Sequence, residues 1–109
     1  MQRMGMVIGI DPARIVEYKA LHAAVWPQVL ATLTAANIRN YTIFLREPES
    51  LLFSYWEYYG KNYEADMAEI AADQTTQEWW SLCGPCQLPL ASRGDGEHWA
   101  TMEAVFHMD

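Results

Sequence analysis

Proline and glycine cut this chain of 109 residues into short apolar segments, and their placement constrains its fold more than any other feature. Asp11-Pro12 closes a Val- and Ile-containing stretch from Met4 to Ile10, which reads as a first strand. Asp11 offers a side-chain oxygen as an N-cap and Pro12 suits the first helical position. A helix is therefore expected next, and Ile15, Tyr18, Leu21, His22 and Val25 recur at three- and four-residue spacing. Pro27 interrupts the hydrogen-bond ladder near Trp26, so the helix kinks there or a new one starts, running to about Ala36. Asn37 is a helix stop, and Ile38 to Leu45, rich in Tyr, Thr, Ile and Phe, reads as a strand. Glu47-Pro48-Glu49-Ser50 has turn chemistry, and Leu51 to Tyr59 forms an antiparallel return strand broken by Gly60.

The second half repeats the plan. Asn62 or Tyr63 to Ala72 reads as a helix, and Thr75 to Cys83 as a shorter one ended by Gly84-Pro85. From Gln87 to Trp99 no period survives, and Gly94-Asp95-Gly96 marks a loop; Met102 to Met108 reads as a last strand. Strand, helix, strand, strand, helix, strand is the α+β, ferredoxin-like βαββαβ plan, with residues 1–109 forming one domain. A sheet with helices on one side leaves its other apolar face open, and a second copy of the chain is the simplest cover. A homodimer is expected.

Charge narrows the ligand. Fourteen acids against seven bases give a formal charge of −7, which repels phosphate backbones and anionic lipid. Nucleic acid and membrane surfaces are thus disfavoured as partners, and a small neutral or cationic ligand fits better. No apolar run approaches the roughly 20 residues of a membrane span, and the start of the chain lacks the pattern of a signal peptide. A cytoplasmic location is expected. Two cysteines cannot supply the disulfide framework of a small secreted domain.

Few residues carry chemistry. Tyr18 and His22 lie four apart on one helix and project from the same face, where an imidazole can exchange protons near neutral pH. A lone helix histidine is more often a solvent contact or a cap, but this one precedes a proline break where a helix end opens. Trp79 and Trp80 point about 100° apart on a helix, so one packs inward and the other borders a cavity or interface. They equally fit two anchors of a small core. Tyr41 supplies a further hydroxyl on the second strand.

Cys83-Gly84-Pro85-Cys86 has the four letters of a thioredoxin active site, but it follows a helix instead of preceding one. At a helix C-terminus the dipole disfavours a thiolate, so a redox role is not expected. A zinc site lacks a second CxxC, and His98 and His107 have no ligand spacing. Glu64, Asp66 and Glu69 read as a solvated face, while Glu103 on the expected last strand is a candidate buried acid. No phosphate loop, GxSxG elbow or HExxH helix occurs.

Taken together, these residues resemble the L-rhamnose mutarotase family. The resemblance runs through Tyr18 and His22 with Val25-Trp26-Pro27, Asn40-Tyr41-Thr42-Ile43, Leu52-Phe53, Trp79-Trp80 and the closing Val105-Phe106-His107. It implies a dimeric α+β barrel and the interconversion of the α and β anomers of L-rhamnose without cofactor or metal. It also implies that His22 is the proton donor and that Tyr18, Tyr41, Trp79 and Trp80 bind the sugar. Gln87 to Trp99 departs from the Asn-Pro-Asp-Asn-Ser-Pro-like loop of that family, which leaves L-fucose or another sugar open as substrate. A dimeric-barrel monooxygenase or haem-degrading enzyme and a non-catalytic metabolite-binding module are the rivals from other classes.

Overall fold

A computed structural model describes residues 1–109. The first strand, β1 (Gln2–Ile10), begins two residues earlier than its apolar stretch. Asp11 then accepts a hydrogen bond from the Ala13 amide at 3.0 Å, and one 3-10 turn at Pro12–Arg14 leads into α1 (Ile15–His22). Trp26 is extended, as the residue before a proline must be, and Pro27 opens a separate helix, α2 (Pro27–Ala35). Val25 therefore lies in a connection and not on the helix whose periodicity it continues. Asn37, at φ +68°, ends α2 in the left-handed conformation that asparagine tolerates.

The return pair is β2 (Ile38–Arg46) and β3 (Leu51–Tyr58), joined through Glu47–Ser50. They are followed by α3 (Tyr63–Ala72), capped by Asn62, and α4 (Gln74–Cys83), capped by Asp73. Two short strands finish the sheet: β4 (Gln87–Leu88) and β5 (Ala100–Met102). The path β2-β3-β1-β4 is the ferredoxin-like order, with β5 sharing the β4 side of β1 and every pairing antiparallel.

Two expectations change at this end of the chain. The last strand does not run from Met102 to Met108; pairing stops at Met102, and Glu103 to Asp109 form no regular structure. Val105, Phe106 and Met108 are 88%, 81% and 77% exposed, so no core in this chain receives these side chains. Glu103 is exposed and is not a buried acid. Gln87 and Leu88, read as patternless, pair with Ile10 and Gly9. The pairing depends on Gly9, where a Cβ would stand 2.6 Å from the Leu88 carbonyl oxygen.

Alternation places Ile8, Ile10, Leu52, Ser54, Trp56 and Tyr58 on the face of the sheet covered by helices. β2 joins that face out of step. A bulge between Arg39 and Thr42 inserts an extra residue, with Asn40 at φ +51°. Ile38, Tyr41, Ile43 and Leu45 consequently share the helix side, although Ile38 and Tyr41 are three apart. The main core gathers Ile8, Ile10, Ile15, Tyr18, Val29, Leu52, Trp79, Cys83 and Cys86; a smaller one holds Ala36, Ile38, Tyr58 and Ile70.

Gly9→Ala is expected to push β4 off β1 at a cost of about 1–3 kcal/mol, as overpacking does. Thermal melting checks this, with an expected fall of several degrees in Tm.

Candidate active site

The last turn of α1 supplies the core of the site. Tyr18 and His22 are four residues apart, so their rings stack, with centroids 4.2 Å apart and planes 26° from parallel. Trp79 of α4 meets the His22 ring edge-on at 5.3 Å and Trp26 at the same distance, so the imidazole is held between a phenol and an indole. His22 Nδ1 lies 3.0 Å from the Tyr18 carbonyl oxygen. A carbonyl only accepts, so Nδ1 carries the proton, and in the neutral ring Nε2 is left with a free lone pair.

Beside this ring opens a cavity of about 130 Å³. Ile10, Ile15, Ile43, Leu45 and Leu52 form its apolar walls, and Tyr18, Lys19 and His22 its polar edge. Small-molecule sites share this character of a concave apolar wall with a few converging polar groups. Ser54 projects from the same sheet face opposite Ile43, 3% exposed, and its hydroxyl has no protein partner.

Burial sets the charge of the site. It lowers the His22 pKa from its usual 6.5, against a smaller opposing effect of the bond to Tyr18. It pushes the Tyr18 phenol up to about 12, opposed by a hydrogen bond from Gln87. Tyr41 shifts in the same direction, first through burial and then through the proximity of Tyr18 and Cys83. The bulge turns Tyr41 to the helix side of the sheet, where it is 39% exposed and its ring stands edge-on to Trp56 at 4.9 Å. At neutral pH the site offers two neutral phenols and a neutral imidazole.

The structure gathers Tyr18, His22 and Trp79, leaves Tyr41 against Trp56 and outside the cavity lining, and separates the tryptophans. Trp79 is 6% exposed and belongs to the core; Trp80 is 44% exposed and joins none of the ring pairs around His22. Cys83 and Cys86 are free, buried thiols, and desolvation pushes Cys83 up to about 12, the opposite of an activated thiolate. Asp66 does not belong to a wholly solvated face. It accepts from the Tyr58 hydroxyl at 2.5 Å and from Asn37 at 3.1 Å, tying α3 to the sheet and to the end of α2, whereas Glu64 and Glu69 are exposed. Sequence reasoning missed Lys19, whose i, i+3 spacing to His22 was available as a signal, and Gln87, which had none.

Comparison with known proteins shows the fold and the family. The solved L-rhamnose mutarotase from Formosa agariphila superposes with a TM-score of 0.78 over all of both chains at 19% identity. Tetracenomycin F2 cyclase, a polyketide cyclase from Streptomyces glaucescens, does so with a TM-score of 0.70 over this whole chain and 98% of the other, at 18% identity. The fold is that of the dimeric α+β barrels. A family model for L-rhamnose mutarotase matches residues 3–108. The L-rhamnose mutarotase of Oceanobacillus iheyensis is 31% identical over the full length of both chains, and that of Sinorhizobium fredii 29% identical over 99% of each. The chain belongs to the L-rhamnose mutarotase family.

Trp79→Ala is expected to cost about 3–5 kcal/mol, since it empties a core position. Trp80→Ala, from a half-open surface, is expected to cost far less. Urea unfolding of the two variants measures the difference.

Proposed function

We propose that the cavity beside His22 is where this chain interconverts the α and β anomers of L-rhamnose, as an isomerase acting on a neutral sugar. The observation that carries the reading is the imidazole itself. Its Nδ1–H is committed to the Tyr18 carbonyl, Nε2 has no partner within the chain, and the neutral ring borders an apolar cavity that the Tyr18 phenol also lines. Nε2 takes the proton of the anomeric hydroxyl as the bond between the anomeric carbon and the ring oxygen breaks. The imidazolium then gives that proton to the ring oxygen, which is the donor role assigned to His22. The open-chain aldehyde turns about its bond to the next carbon, and the two transfers run in reverse on its other face. Protons balance, and no charge remains on the protein.

In this reading Tyr18 and Tyr41 donate hydrogen bonds to sugar oxygens, Trp79 holds His22 in place and Trp80 offers an indole face to the C–H-rich side of the sugar. The apolar walls suit the methyl group of a 6-deoxy sugar. Residues 1–109 act as one mutarotase-like domain. No helix is long and apolar enough to cross a membrane, and the reading places the enzyme in the cytoplasm, where free thiols such as Cys83 and Cys86 persist.

The active form in this reading is a homodimer. The sheet face away from the helices carries Val7, Phe44, Phe53, Leu88 and Met102, of which Phe44 is 61% and Leu88 52% exposed. The apolar tail at Val105, Phe106 and Met108 adds to it. A second copy, presenting the same face, covers both. Light scattering at micromolar concentration is expected to give the mass of a dimer, and a monomeric mass would count against this.

Anomer exchange, read from NMR line broadening of the two anomeric protons of L-rhamnose, tests the chemistry. A folded His22→Ala variant is expected to lose about 10²-fold or more in rate. An unchanged rate removes His22 from the mechanism. Because the resting imidazole must be neutral, activity is expected to be full at pH 7 and to fall as the pH drops through the His22 pKa, below 6.5. The other titratable groups of the site are Lys19 and Tyr18 on α1, Tyr41 on β2 and Cys83 on α4. The lowered pKa also stabilises the fold above pH 6.5, a contribution lost as the pH falls through the folded value. The same spectra with L-fucose and ordinary hexoses give the sugar preference.

A further inference from the structure

Gln87 stands in β4, opposite Ile10 and on the helix-covered side of the sheet. The segment is fixed from three directions. The Asp11 amide donates to the Cys86 carbonyl at 2.9 Å, Gly9 admits the Leu88 carbonyl, and β4 pairs with β1. The half-buried Gln87 amide bridges two side chains. Its Nε2 donates to the Tyr18 phenolic oxygen at 3.4 Å, and its Oε1 lies 2.8 Å from His98 Nε2.

We propose that Gln87 is a positioning residue for anomer exchange, which turns the Tyr18 hydroxyl into a hydrogen-bond donor toward the bound sugar. This rests on the sugar-isomerase reading above and adds to it the residue that orients its phenol. A phenol has one proton and can both donate and accept. The Gln87 N–H occupies an acceptor position on the Tyr18 oxygen, and the phenolic proton has no acceptor within the chain. That proton is left for a sugar oxygen. Were the amide reversed, its carbonyl would take the proton, and Tyr18 would face the sugar as an acceptor only. His98 Nε2 faces the oxygen end of the amide, and the tautomer that carries its proton there holds the amide in the productive sense. Tyr18 in turn stacks on His22 and accepts its Nδ1–H at the backbone, so Gln87 acts on the phenol without touching the imidazole. The segment from Gln87 to Trp99 carries both ends of the Gln87–His98 pair, and so governs which way the amide faces.

The test is a double-mutant cycle with Gln87→Leu and Tyr18→Phe, read as kcat/KM for anomer exchange. Gln87→Leu alone is expected to lose about tenfold, the size of one oriented hydrogen bond. In the Tyr18→Phe background the same change is expected to cost nothing more, since no hydroxyl is left to orient. An equal penalty in both backgrounds, as a packing role would give, overturns the proposal. Gln87→Glu keeps the size and removes the donor, and it is expected to lose at least as much as Gln87→Leu; parent activity in this variant overturns the proposal too. A readout independent of catalysis is the ¹³Cζ resonance of Tyr18 in the sugar-free, ring-labelled protein. It is expected to move in Gln87→Leu, and an unmoved resonance sinks the link itself. Should the parent protein not accelerate anomer exchange, the isomerase reading fails, and that failure is distinct because the Tyr18 resonance still reports on Gln87.

Discussion

The structure depends on one strand being paired along both edges while one of its faces is sealed. β1 pairs with β3 over eight residues from Gln2 to Gly9, and with β4 and β5 on its other side. Ile8 and Ile10 on its covered face are 0% and 1% exposed. A register slip by one residue would turn both toward the open face, so burial and hydrogen bonding enforce the same alignment. Asp11 follows directly, caps the turn after β1 and aims α1 across the sheet. Tyr18 and His22 inherit their positions from that exit, and Leu52, opposite Ile8, becomes part of the cavity wall.

The parts legible in the sequence are those written in local chemistry. Asp11-Pro12, Pro27 and Asn37 set helix boundaries through caps, a missing amide and a left-handed φ, all of which act within a few residues. The i, i+4 relation of Tyr18 and His22 predicts their shared face, and the 100° step between Trp79 and Trp80 allows only one to pack inward, which is Trp79. What stayed hidden is non-local. Two residues of β4 have no periodicity to detect, and they form a strand because Gly9, far away in sequence, leaves room. The bulge at Asn40 changes the parity of β2, so simple alternation would put Ile38 and Tyr41 on opposite faces.

The overextended last strand has a related cause. Met102 to Met108 is an apolar-rich run, but such a run specifies a buried strand only where a partner surface exists. Within one chain, pairing on β1 ends at Met102, and Val105 and Phe106 face solvent. The apolar tail and the apolar open face of the sheet are thus two expressions of one excess, more nonpolar surface than a single copy can cover. The proposed homodimer answers both with a single contact.

Electrostatics joins the fold to the chemistry. The chain carries a net charge of −7, yet the groups beside the cavity tend to neutrality at pH 7 because they are desolvated. Burial raises both phenols and lowers the imidazole, and each shift favours the uncharged form. A charged substrate would have to abandon hydration for an apolar wall without a fixed counter-charge buried there; Lys19, at the rim, is exposed and remains solvated. A neutral polyol loses only hydrogen bonds, a smaller cost that neutral donors can offset. The same desolvation keeps the imidazole in its neutral, proton-accepting form at pH 7. On this physical ground a neutral substrate, as the proposed ring opening requires, suits the cavity better than a charged one.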